Sequence, residues 1–361
     1  MIPANDLLEQ NYPAQEVAML ADLRGVLSKV KDVKVRAAAG RQALRQLWDD
    51  DLTFLEKTAW IRTKEPGVIS LLRLNHAQRR FWNDVFVRCR NEKRPTRAVV
   101  LKARQLGFST LIQAWQYGQC DGSPNRVSLT ISYDEPSSRE LFRKAKFVHQ
   151  NMWFPQGAER DSGTALELDN GSVFNVRTSG NLSAGRGDTF HHLHCSEVPM
   201  WADAGETLAS AQQAVPAKPG TSIILESTAK GAVGEFYDLW RASEAGRSDY
   251  VPFFAPWFWD PEYVLEFPSA DAEAAFARTL DLVERRLVEA HRLTMPQLAW
   301  RRWKIRNDLQ GSAAKFRQEY PSTATEAFLT TGTPVFDADA IEALERNAAR
   351  PLWTGDIHLE V

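Results

Sequence analysis

The sequence predicts an α/β fold, with a mainly parallel central sheet flanked by helices, an added β-hairpin and an N-terminal helical segment. Three observations carry this. First, short apolar, β-rich runs recur at AVVLK (98–102), VSLTIS (127–132), FHHLHCS (190–196) and SIILES (222–227), each followed by a loop or a helical pattern. Such runs fit parallel strands covered on both faces, with helices in the crossovers. Second, in ALELDNGSVFNV (165–176) two alternating runs flank Asn170-Gly171, the strongest short-range signal for an antiparallel hairpin. Third, residues 1 to about 60 carry apolar side chains at three- and four-residue spacing, as in EVAMLADLRGVL and RQALRQLWDDDLTFLEKTAW, the period of amphipathic helices. Helical spacing returns over 270–312, in AEAAFARTLDLVERRLVEAHRL and MPQLAWRRWKIRNDL.

The 361 residues allow one large domain or two smaller ones, and 43% hydrophobic with 25% charged residues is the composition of an ordinary globular protein. No stretch approaches the roughly 18 uncharged apolar residues of a membrane helix, so no membrane is expected as a partner. The N-terminus MIPANDLLEQ lacks the basic-then-apolar order of a secretory signal. Cys89, Cys120 and Cys195 are far apart, have no metal-ligand spacing and suit a reducing cytosol. The net charge of −2 gives no global signature of nucleic-acid binding. Two local basic runs stand out, Arg88/Arg90/Lys93/Arg94/Arg97 and Arg301/Arg302/Lys304/Arg306. Each reads equally well as a solvated face or as a phosphate-contacting patch.

AVVLKARQLGFSTLIQAW is the most informative segment: a strand, a loop with Gly107, then Ser109-Thr110 opening a helix. Backbone N–H groups and a helix N-terminus in that order cradle phosphates. The usual frame GxxxxGK[ST] here reads Lys102-Ala103-Arg104-Gln105-Leu106-Gly107-Phe108-Ser109, so Phe108 stands where the lysine belongs and Lys102 where the first glycine belongs. In the functional reading Lys102 reaches the outer phosphates from the front of the loop, Arg104 is a second cation, and the Ser109 hydroxyl serves Mg²⁺. The competing reading is a strand–loop–helix without nucleotide.

The run FHHLHCS ends in Ser196-Glu197. In P-loop ATPases the matching strand ends in a metal-associated acid and a glutamate that orients or deprotonates water. Glu197 fits the base, and Ser196 the metal-shell position as a hydroxyl. SIILESTAKG then gives a strand ending in Ser227 and Thr228, hydroxyls suited to a γ-phosphate or its water. Phosphate loop, acidic strand end and hydroxyl strand end thus follow one another at the C-terminal ends of parallel strands, where such sheets bind ligands. Upstream, LNHAQRRFW places Gln78 on a helix, with an amide able to read an adenine edge. On the functional reading the expected fold class is a P-loop NTPase of ASCE type, with ATP and Mg²⁺ as the expected cofactors.

LNHAQRRFW, KARQLGFST, AGRGDTFHHLHCSEVPMW, ESTAKG, GEFYDLW, PFFAPWFWDPEY and FRQEYPSTATEAFLTTGTPVFD together resemble the large terminase family of tailed bacteriophages, over roughly residues 74 to 336. Some terminases carry lysine at the front of the loop and an aromatic residue after the glycine, the variant that Lys102 and Phe108 match. The resemblance implies an ATPase that drives double-stranded viral DNA through the portal into a procapsid. It implies a ring of subunits, five in number, with a small terminase subunit as partner, acting in the host cytoplasm. It implies an arginine given to the neighbour's γ-phosphate, with Arg139, Arg143 and Arg186 as candidates, and catalytic surroundings that include Arg186-Gly187. Ser196 departs from the commoner aspartate.

By this reading residues 1–60 are a helical segment, 61–335 the ATPase domain and 336–361 a linker and the start of a nuclease domain, whose two-metal site Asp356 alone cannot build. No nuclease activity is expected of this chain. Two other functions stay open on the sequence: a helicase-like nucleic-acid ATPase, and an assembly module that keeps the fold without hydrolysis.

Overall fold

The computed structural model describes residues 5–180 and 189–329; Arg186, Gly187 and the segment 336–361 with Asp356 lie outside them. Ten strands occur among the described residues: β1 (Trp60–Arg62), β2 (Ile69–Leu71), β3 (Thr96–Lys102), β4 (Val127–Ser132), β5 (Ala158–Asp161), β6 (Ala165–Leu168), β7 (Val173–Thr178), β8 (His192–Ser196), β9 (Ser222–Ser227) and β10 (Val251–Ala255). β1 and β2 form a small antiparallel ribbon, and the other eight form one sheet in the order β10-β3-β9-β8-β4-β7-β6-β5. From β10 to β7 the pairs are all parallel, whereas β6 and β5 are added antiparallel. The order interposes β9 between the phosphate-loop strand β3 and the acidic strand β8.

The apolar runs become strands because both faces of the sheet are covered. Along β3, Ala98 and Val100 pack into one core and Val99 and Leu101 into the other, all four fully buried. The first core holds the helix Phe108–Gly122 and the helical run 76–91, which includes a π-helical turn at Trp82–Val87. The second holds Trp201, Phe236, Trp240 and Phe328. The four N-terminal helices, Asn5–Asn11, Ala14–Ser28, Val33–Leu47 and Asp51–Thr58, build a third cluster around Leu20, Leu44, Trp48, Trp60 and Trp153. Leu44 is fully buried there, and truncating such a leucine costs about 2–5 kcal/mol.

The hairpin expected around Asn170-Gly171 is β6–β7, with Leu166 opposite Phe174. Its turn is not a two-residue one. The Gly171 N–H donates to Leu168 O at 2.9 Å, the Leu168 N–H to Ser172 O at 2.8 Å, and only Gly171 of the loop has positive φ, +77°. That is a three-residue loop closed by a glycine bulge. The Asn170 amide donates instead to Cys120 O at 2.9 Å, tying the turn to the end of the helix Phe108–Gly122.

Candidate active site

The loop after β3 is held from outside by its scaffold. Tyr263 Oη donates to Arg104 O (2.8 Å), Asn75 Nδ2 to Leu106 O (3.1 Å) and Gln78 Nε2 to Gly107 O (2.7 Å). Three loop carbonyls are thereby occupied, and the Ala103 and Arg104 amides donate to Ala255 O and Glu319 O, so the amides that follow them in the loop are the groups for an anion. Gly107 is the N-cap of the helix Phe108–Gly122 at φ +77°, and a Cβ there would stand 2.7 Å from Gln78 Nε2. Gln105, at φ +58°, also takes the left-handed region, which a side chain occupies at some cost where the surroundings impose it.

Side chains sort by role along this loop. Phe108 is 1% exposed and packs edge-on against Phe81 and near Phe253. It is an apolar anchor for the loop. Ser109 and Thr110 open the helix, and Arg104 and Gln105 are exposed. The Arg104 guanidinium is paired with the Glu319 carboxylate, and the Arg104 N–H donates to Glu319 O at 3.0 Å. Glu319 lies in the segment FRQEYPSTATEAF, whose Phe316 and Tyr320 join Trp257, Tyr263 and Trp300 in an aromatic stack beneath the loop.

Lys102 ends β3 with its side chain 9% exposed, its ammonium 3.3 Å from Glu197 Oε1 and 3.0 Å from Glu226 Oε2. Burial opposes its charge, but the two carboxylates outweigh that and hold its pKa above the ordinary lysine value. Glu197 follows β8 in the left-handed region (φ 54°, ψ 45°), a conformation found at functional sites. Its N–H donates to Glu226 O at 2.8 Å, and its Oε2 accepts from Ser227 Oγ at 2.7 Å. The side chain is 28% exposed, so it can meet water. Thr228, one residue beyond β9, is half-buried.

Glu226 was not singled out from the sequence. It is fully buried. Its Oε1 accepts from Ser109 Oγ (2.7 Å) and Ser196 Oγ (3.1 Å) and lies 3.4 Å from His194 Nε2. Gln113 Nε2 faces His194 Nδ1 at 2.8 Å and also donates to Thr130 Oγ1 at 3.0 Å. With Nδ1 accepting, the imidazole proton sits on Nε2, toward Glu226. Burial works against charge on Glu226, yet Lys102 and His194 hold its carboxyl below the usual range. The signal was available, since an acidic residue inside an apolar strand is rarely buried without partners.

Gln78 caps its own helix. Its Oε1 accepts from Asn75 N (3.0 Å), and its Nε2 is the donor to Gly107 O. Both polar ends of the amide are thus occupied within the chain. Thr110 borders a cavity of about 220 Å³ with Arg62, Arg143, Lys144 and Phe147. Arg143 pairs with Glu140 at 2.9 Å, while Arg139 pairs with Glu135. The basic runs are largely neutralised: Arg88–Glu92 (2.9 Å), Arg90–Asp51 (2.7 Å), Arg302–Glu284 (2.5 Å) and Lys304–Asp308 (2.6 Å) are ion pairs, and Arg97 and Arg301 are buried.

The oxygen donors near Ser109 are hydroxyls and carboxylates, the hard ligands that Mg²⁺ takes. Among the described residues no group of three or more His, Cys, Asp or Glu forms a metal cage. No described helix is long and apolar enough to cross a membrane.

No family model matches the chain. It is similar to the ATPase domain of the Thermus phage P74-26 large terminase, at 16% identity over 69% of this chain and 98% of that one, with a TM-score of 0.39. It is similar to the HK97 bacteriophage large terminase at 13% identity over 69% of this chain and 52% of that one, TM-score 0.44. The large terminase of the thermophilic bacteriophage D6E is matched at 9% identity over 59% and 52% of the two chains, TM-score 0.40. The match thus spans about half the length of the HK97 and D6E chains. The solved structures that this chain resembles are large terminases of several phages.

Proposed function

We propose that this chain is a Mg²⁺-dependent ATPase and serves as the motor domain of a phage DNA-packaging enzyme, with residues 61–335 as the ATPase unit. The observation that carries the hydrolytic reading is that Lys102 touches Glu197 directly and is joined to Ser109 through Glu226, at the C-terminal ends of β3, β8 and β9 beside the 103–110 loop. The packaging role is supported by the sequence resemblance over 74–336. Double-stranded DNA, the portal, a small terminase subunit and a ring of like subunits are the partners that role requires, in the host cytoplasm.

In this reading the phosphates lie on the loop amides, and an incoming anion competes with Glu226 and Glu197 for the Lys102 ammonium. Drawing Lys102 toward the outer phosphates releases Glu197 Oε1 from its ion pair. Ser227 keeps hold of Oε2, so the carboxylate stays aimed while its free oxygen takes a proton from water. Gln78 and Asn75 keep the loop open, and Phe108 anchors it. Thr228 stands next to Ser227 for the γ-phosphate side. Mg²⁺, when bound, neutralises phosphate charge, and the Ser109 hydroxyl is the protein oxygen nearest that task.

Glu197→Gln tests the assignment. The amide preserves shape but is no base, so nucleotide affinity should stay within about twofold while turnover falls by roughly 10²–10⁴. Binding is read with a fluorescent ATP analogue, turnover as phosphate release with DNA and partner proteins present. Parental turnover in that variant would assign the base to another residue.

A further inference from the structure

We infer that Glu226, on β9, supplies the carboxylate that β8 lacks, holding the Ser109 hydroxyl for the divalent cation in place of a strand-end aspartate at 196. This rests on the ATPase reading. P-loop ATPases pair the loop Ser or Thr with an acid from another strand of the sheet, here β8, with β9 between it and β3. Here β8 offers only the Ser196 hydroxyl there. In the parallel register of β8 and β9, Ser196 stands directly opposite Glu226, so the carboxylate has moved one strand over at the same level of the sheet. One oxygen of Glu226, Oε1, accepts from both Ser109 Oγ and Ser196 Oγ. A hydroxyl that gives its one proton to a carboxylate keeps its lone pairs for a cation. Ser196 thereby changes from a ligand candidate into a hydrogen-bond donor that fixes Glu226.

The burial of Glu226 supports a dedicated role. A fully buried carboxylate in an apolar strand is costly unless its neighbours compensate it. Those neighbours are Lys102, His194 and the two serines, all aimed at the loop side of the sheet. Glu197 shares Lys102 with it but otherwise differs: it is partly exposed and held by Ser227, whereas Ser109 donates to Glu226. The two glutamates therefore divide the work, Glu197 facing water and Glu226 acting through Ser109 as a positioning residue.

A purely structural role, as counter-ion to Lys102, would alter stability without altering the cation dependence of nucleotide binding. The test is an Mg²⁺ titration of the affinity for a fluorescent ATP analogue, with EDTA as the zero point, on the parental chain, Glu226→Gln, Glu197→Gln and Ser196→Asp/Glu226→Gln. The parental chain and Glu197→Gln should tighten with Mg²⁺. Glu226→Gln, which no longer competes with the anion for Lys102, should bind the Mg²⁺-free analogue at least as tightly as the parent does and lose about tenfold of the Mg²⁺-dependent gain. The double variant, which returns the carboxylate to β8, should regain it. If Glu226→Gln does not fold by circular dichroism, the double variant decides alone: a parental Mg²⁺ response supports the inference and an absent one overturns it. An unchanged Mg²⁺ midpoint in folded Glu226→Gln, or a folded double variant that fails to recover, overturns the inference and leaves the ATPase reading standing. No analogue binding by the parental chain, with or without Mg²⁺, overturns the ATPase reading itself and this inference with it.

Discussion

Removing the Lys102 ammonium should first damage stability, before any question of catalysis. Lys102→Met keeps the apolar stem but leaves Glu226, fully buried, without its nearest cation. At 3.0 Å, the attraction is about 5 kcal/mol with an effective dielectric of about 20, and desolvation offsets part of it. Breaking one side of a buried pair costs about 3–5 kcal/mol. The lower figure applies here, because Ser109, Ser196 and His194 still contact Glu226. Lys102→Met should thus lose about 3 kcal/mol in urea unfolding, a midpoint shift of about 1 M at an m-value of about 3 kcal/mol/M. Lys102→Met/Glu226→Gln should recover about 2 kcal/mol of that, because no buried charge is then orphaned. The sign with pH is also fixed. In the parental chain the lowered pKa of Glu226 stabilises above the ordinary carboxylate range and is lost as pH falls through the folded value. In Lys102→Met burial is opposed only by the serine and His194 contacts, so that pKa rises relative to the parental chain and the deficit should shrink as pH falls toward 5. Equal losses in the single and double variants, or a deficit independent of pH, would refute the coupling.

His192 is buried against Trp115 and Ser222, and burial pushes its pKa down to about 3. Its unfolded form binds a proton below about pH 6.5 and its folded form does not, so stability falls with pH there by up to about 1.4 kcal/mol per unit; His192→Gln should flatten the melting-temperature curve between pH 6.5 and 4. Gly107→Ala places a Cβ in the left-handed region beside Gln78 Nε2, at a cost of about 1–2 kcal/mol, and should weaken nucleotide affinity about tenfold by equilibrium titration. DNA binding by the isolated chain should be weak and fall with salt. With most patch cations already paired, roughly three phosphate contacts would give a log–log slope of about −3 in a salt titration; a flat slope would mean base stacking or readout instead.

The strands were legible in the sequence wherever burial on both faces left an unbroken apolar run. β4 and β9 begin and end where VSLTIS and SIILES do. β10 was harder to see, because VPFFA shows alternating exposure and a proline at the sheet edge. β5, AERD, is exposed throughout and has no apolar periodicity to detect. In the candidate site, the order of strand ends was readable because Lys102, Ser196 and Ser227 each sit where a strand stops. Glu226 was missed because attention to the terminal hydroxyls of SIILES passed over the acid before them. The capping pair Asn75 and Gln78 was also in plain view as N-x-x-Q. Periodicity, however, reveals which helix they open and not which loop they face. Some partners of the basic runs are local, Glu92 for Arg88 and Asp308 for Lys304, but Asp51 for Arg90 lies 39 positions away in sequence, beyond the reach of local pattern.

Phe108 carries a consequence for how such loops change over generations. Its ring is locked among Phe81, Phe253 and the rest of the core, while the lysine of this loop already stands at the end of β3. A single codon change from Phe108 to another large apolar residue keeps the anchor. A change to lysine would put an ammonium into an aromatic pocket and would duplicate, without replacing, the charge at 102. The two arrangements of the loop, lysine in front or lysine behind the glycine, are therefore separated by an intermediate that is either unanchored or wrongly charged. A lineage that holds this arrangement is confined to it by packing, whatever its catalytic merit.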